Sequence, residues 1–124
     1  MTSVLNVDTI ADKAGTGPVG LTKQHAAKAW SRIPDTHDSL TDSFNASSIA
    51  DGGTGQATIS LTNSMSDANY CGTSGSGHIG SGVTTKHTYV KDLAASNYIV
   101  FAGDTTSNTN QDYGGSYSIL GDLA

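Results

Sequence analysis

The residues most able to do chemistry are spread along the chain in patterns that stop short of a site. Gly75-Ser76-Gly77-His78-Ile79-Gly80 satisfies the G-x-G-x-x-G spacing of a dinucleotide-binding loop. That loop needs a strand before it, a helix opening after it and an acidic residue further on. Here Ser81-Gly82 and a β-prone run follow, so the stretch reads as a flexible loop. Ser, His and Asp are abundant enough for a nucleophilic triad, but no G-x-S-x-G elbow marks a serine as activated. Glycoside cleavage by paired carboxylates usually draws on Glu. All 11 acidic residues here are Asp, and they stand in turn contexts. His25, His37, His78 and His87 lack metal-ligand spacing and read as satisfied surface histidines. Asp51 and Asp104, beside Gly and Thr, lack the D-x-D-x-D pattern of a Ca²⁺ loop. Asn45-Ala46-Ser47 is a glycosylation sequon in form, but it falls in an expected strand. The expectation is a protein that is not an enzyme, with no catalytic residue, cofactor or metal.

Recognition chemistry is better represented. Tyr89, Tyr98, Tyr113 and Tyr117 come late in the chain among Asn, Ser and Gly. Tyr with small polar neighbours suits recognition surfaces, carbohydrate-facing ones included. Residues 72–82 and 104–115 read as two loops, and Ser74, His78, Asn108, Asn110 and Tyr113 are the ligand-facing residues expected on them.

Composition sets what can hold such loops. The chain has 124 residues, enough for one domain, and 35% are hydrophobic. Its large side chains are few, with one Trp, two Phe and two Met. Such a chain closes a thin core, and thin cores are marginal alone, so association is expected. Ser, Thr, Gly, Asn and Asp favour turns over long helices. The net charge of −5 comes with scattered cations, which argues against nucleic acid as partner. No apolar run approaches a membrane span, and no signal-like segment follows Met1, so cytoplasmic synthesis without membrane insertion is expected. Cys71 is the single cysteine and is expected to be a free buried thiol.

The elements follow from periodicity. Ala57, Ile59 and Leu61 alternate with Thr58 and Ser60, the mark of a strand with one buried face. Asp51-Gly52-Gly53-Thr54-Gly55 before it is a turn. Phe44, Ala46 and Ile49 supply the apolar side of the partner strand, and their slipped spacing predicts a β-bulge at Ser47-Ser48. Residues 24–30 favour a short helical turn, stopped by Pro34, with Trp30 packed under the sheet. Residues 84–90 read as a strand with Thr88 and Val90 on one face and His87 and Tyr89 on the other. Residues 97–101 predict a central strand and 117–120 the last. The sum is an all-β chain: a small antiparallel β-sandwich of six or seven strands over residues 25–124, preceded by an extended N-terminal arm, residues 1–24.

Four spaced motifs add a resemblance. They are Val7-Asp8-Thr9-Ile10, Lys23-Gln24-His25-Ala26-Ala27-Lys28-Ala29-Trp30, Asp42-Ser43-Phe44-Asn45 and Met65-Ser66-Asp67-Ala68-Asn69-Tyr70. In that order they resemble the small fibre or tail-type virion proteins of tailed, notably marine, bacteriophages, over about the first 70 residues. The resemblance implies an N-terminal segment anchored to the particle and a β-rich distal domain, commonly homotrimeric. It also implies a first strand over residues 28–33, against the helical turn. The expected function is a short tail or capsid fibre, assembled in the host cytoplasm into the virion. Val4, Leu5, Val7, Ile10, Val19 and Leu21 would dock on capsid, tail or baseplate proteins, and the distal loops would meet a host-surface ligand such as a glycan. The alternatives are a capsid decoration protein and a small glycan-binding or glycan-active domain.

Overall fold

A computed structural model describes residues 26–76 and 85–124. The expected attachment residues Val4, Leu5, Val7, Ile10, Val19 and Leu21, and the expected ligand-facing residue His78, lie outside them. The described chain is all-β, a sandwich of two antiparallel sheets. Its strands are β1 (Ala29–Ile33), β2 (Asp42–Phe44), β3 (Ala46–Asp51), β4 (Gln56–Leu61), β5 (Cys71–Ser76), β6 (Lys86–Ala94), β7 (Asn97–Asp104), β8 (Thr109–Asn110) and β9 (Gly115–Leu120). One sheet runs β2-β1-β9-β5; the other runs β3-β4-β7-β6, with β8 added beside β7. Nine strands replace the expected six or seven, because the short β2 and β8 carry no hydrophobic alternation of their own.

The alternating run is β4, with Ala57, Ile59 and Leu61 buried. Its hairpin with β3 has the expected register slip between Ala46 and Ser48. The expected central strand is β7, flanked by β4 and β6. Facing it from the other sheet are Ala29, Ile33, Tyr117 and Ile119, and these close the core with Ile59, Tyr98 and Val100. A polar seam crosses that core: the Ser31 and Tyr98 hydroxyls lie 2.9 Å apart, both buried. Burial pushes the Tyr98 phenol up to about 12, against the Ser31 bond that pulls it down.

Several expectations are corrected. Residues 29–33 form β1, as the resemblance implies, where local propensity favoured a helical turn; pairing with β2 and β9 outweighs the alanines. Trp30 does not lie under the sheet. It sits directly opposite Phe44, and Ser31 and Ile33 point inward, so Trp30 takes the outer face and is half-buried. Phe44, expected inside, is 55% exposed for the same reason of register. Cys71 is exposed rather than buried, opposite Leu120 at one end of the β5–β9 ladder. Residues 72–76, read as the start of a loop, belong to β5, and Gly72 explains why: a Cβ there would stand 2.7 Å from the Val90 side chain. Glycine lets β5 approach β6. Tyr98 and Tyr117 are buried core residues, not surface ones, because each falls on the inward phase of its strand.

Candidate functional site

The registers gather the loops. Ile33 and Ser76 both pair with Gly115, Lys86 pairs with Asp104, and Asp51 pairs with Ala57. Loops 34–41, 52–55 and 105–114 therefore emerge at one end of the sandwich. At the other end lie Lys28, Asn45, residues 62–66 and the C-terminus: the Lys28 N–H donates to Ile119, and the Ala124 N–H to Ser64.

At the loop end, residues 111–114 are the hub. The Gly114 N–H donates to Asp35 Oδ1 at 2.6 Å, and the Gly55 N–H donates to Asp112 Oδ1 at 2.5 Å. The Gln111 N–H donates to the Ala102 carbonyl, whose own N–H donates to Gly55. Gly55 has no room for a side chain: a Cβ would collide with the Ala102 carbonyl oxygen, and its φ of +73° is in the left-handed region.

His37 sits beneath this hub, and its burial corrects the surface reading. Its side chain is 0% exposed and its backbone is left-handed, with φ of 55°. Nε2 lies 2.7 Å from the Tyr113 carbonyl oxygen. A carbonyl can only accept, so Nε2 carries the proton and Nδ1 is bare. Nδ1 has no hydrogen-bond partner and stands 3.9 Å from Asp112 Oδ1. Burial pushes the imidazole below its ordinary value of 6.5, against the opposing pull of Asp112, Asp51 and Asp35.

Two further features share this end. A cleft of about 370 Å³ lies between loop 34–41 and Gly114. Ile33 and Pro34 give it an apolar floor, and Arg32, Asp35, Thr36 and Thr41 give it polar walls. Arg32 is the only arginine in the chain. On the other side of the hub the Lys86 ammonium stands 3.5 Å over the Tyr113 ring and 3.6 Å from Asp104. Asp104 also accepts from Thr85 and from the Thr106 N–H, and these bonds hold its carboxyl below the usual range.

The expected ligand-facing residues are only partly brought together. Tyr113 is in the hub, its hydroxyl donating to Gln111. Asn108 is exposed at the β7–β8 turn with φ of 50°, and Asn110 lies on β8 opposite Gly103. Ser74 is a strand residue of β5, and its hydroxyl donates to the Thr88 carbonyl at 2.6 Å. His37, Asp35, Asp112 and Arg32 were not singled out from the sequence as site residues. No spacing rule could have joined His37 to Tyr113, which are 76 residues apart. Among the described residues, no three of His, Cys and Asp come together to hold a metal ion, and no helix is long and apolar enough to cross a membrane.

No family model matches this chain, and neither does a curated protein or a solved structure.

Proposed function

We propose that the chain is a structural virion protein of a tailed bacteriophage, a short tail or capsid fibre. Residues 1–24 dock to a larger particle, and the sandwich projects its loop end outward. One observation carries this reading beyond the resemblance: Ala26–Lys28, which join the arm to β1, lie at the end of the sandwich opposite the loops. An arm attached there leaves loops 34–41, 52–55 and 105–114 pointing away from the particle. The acidic side chains at the loop end support binding rather than catalysis. Asp35, Asp51, Asp104 and Asp112 each accept a backbone N–H, so they hold loops in shape. The Arg32 cleft, with donors, acceptors and an apolar floor, is the place where a host-surface ligand such as a glycan would sit. Self-association into a homotrimer would let weak contacts act together.

Cryo-electron microscopy of the particle tests the proposal directly. Density for the sandwich on tail, baseplate or capsid, with the loop end outward, is expected; absence of the chain from purified virions would overturn it. Density lying flat on the capsid, loops against the shell, would favour a decoration protein. Deleting residues 1–22 should abolish incorporation while the sandwich still folds, because the core is drawn from Ala29 to Ile119. Light scattering of the purified chain should show trimers at micromolar concentration.

A further inference from the structure

One carboxylate oxygen at the loop end stands between two claimants. Asp112 Oδ1 accepts the Gly55 N–H at 2.5 Å, and among the described residues the same atom is the nearest carboxylate oxygen to the bare Nδ1 of His37, at 3.9 Å. We propose that this triangle is a proton-operated latch: when His37 gains a proton at Nδ1, Asp112 turns from Gly55 to the imidazolium and frees the β3–β4 turn from residues 111–114.

The geometry leaves few other outcomes. The His37 side chain is fully buried, so bulk solvent does not reach a proton on Nδ1. A buried charge without a partner is far costlier than a small movement that provides one. Nε2 is already committed to the Tyr113 carbonyl and remains a donor after protonation, so that bond survives. Three carboxylates face the ring's surroundings: Asp112 from the hub, Asp51 from the end of β3 and Asp35 from its own loop. Asp35 is bound to the Gly114 N–H at 2.6 Å and Asp51 to the Gly53 N–H at 2.8 Å. Asp112 is the one whose oxygen already lies near Nδ1. Closing 3.9 Å to hydrogen-bond length needs a movement of about 1 Å, and the bond to the imidazolium, charged on both sides, outweighs the bond to the neutral Gly55 amide that the movement stretches.

The direction in pH follows. Folding favours the neutral ring, so the unfolded chain binds the extra proton first. The latch is closed above the ordinary histidine value of 6.5 and opens only as the pH falls below it. The shape of the loop end then differs between neutral and acidic surroundings. This holds for the purified chain and does not rest on the virion reading.

The test is a pH titration of the full chain by NMR, from about pH 8 to pH 5, following the Gly55 amide and the His37 ring nitrogens. At pH 8 the ring should show the Nε2–H tautomer. On acidification the hydrogen-exchange protection of Gly55 should drop at least about tenfold, in step with His37 protonation, while Gly114 keeps its protection. His37→Gln should hold Gly55 protected across the range. Asp112→Asn, which retains an acceptor for Gly55 but carries no charge to be drawn to the imidazolium, should weaken the response as well. An Nδ1–H tautomer at pH 8, unchanged Gly55 protection in the parent chain, or an equal loss in His37→Gln would each overturn the latch. The first two readings need no variant, so they decide the matter even where a substitution fails to fold.

Discussion

The two ends of this sandwich are tied by different means. At the far end the Asn45 side chain joins three segments beside a set of backbone bonds. Asn45, with φ of 56°, donates to the carbonyls of Lys28 and Asn63, both at 3.0 Å, and accepts the Asn63 N–H at 2.7 Å. All of these groups are neutral. At the loop end the corresponding bonds run through charged or titratable groups: Asp35, Asp112, His37, Lys86 and Asp104. Neutral amide bonds hold over a wide pH range, whereas carboxylate and imidazole bonds depend on protonation. The end where residues 26–28 enter the sandwich is thus built from bonds that keep their strength as the pH changes, and the loop end from bonds that do not.

The largest perturbation should erase the difference. Ile59 is fully buried in β4 between the two ends, so Ile59→Ala removes shared packing. A loss of about 2–5 kcal/mol is expected, with both ends melting in one transition in a denaturant titration. Asn45→Ala should break the symmetry in the other direction. It leaves the Asn63 N–H without its acceptor and places alanine in a left-handed conformation, for a cost of about 1–3 kcal/mol. Hydrogen exchange should quicken at Asn63 and leave Gly114 as it was. Lys86→Ala removes the ammonium over Tyr113 and should cost under about 1 kcal/mol. Its effect should be confined to the loop end, read from the Tyr113 ring signals. The smallest and most diffuse effect is a second acid limb. The hydrogen bonds of Asp38, Asp67 and Asp104 hold these carboxyls below the ordinary value of 3.8. A lowered folded value means stability that is present above 3.8 and lost as the pH falls further. Because Asp67 sits in the link between β4 and β5 and Asp38 and Asp104 at the loop end, this limb should touch both ends. The histidine limb, which sets in below 6.5, should touch only the end that holds His37. Melting temperatures recorded against pH for the parent chain and His37→Gln would separate them.

Local pattern alone established the all-β class and its clearest hairpin. The period of two over Ala57, Ile59 and Leu61, the glycine turn at residues 52–55 and the slip at Ser47-Ser48 are local patterns, written within a few residues of one another. Local backbone preference reads such patterns because turns and pleats involve only near neighbours. The phase of residues 84–90 was legible for the same reason. Which sheet covers a face is a different matter. Alternation says that Trp30 and Ser31 point to opposite sides, but only the pairing of β1 with β9 and the stacking of the second sheet put Ser31 against Tyr98 and Trp30 outside. Glycine and serine in residues 72–76 resemble a loop until Val90 shows why a strand there must be bare. The candidate site was the least legible part. His37, Gly55 and Asp112 meet because strands from both sheets end together, and a chain read one residue at a time carries no mark of that meeting. Only the tertiary structure could bury a histidine from a polar loop and set a carboxylate beside its one bare nitrogen.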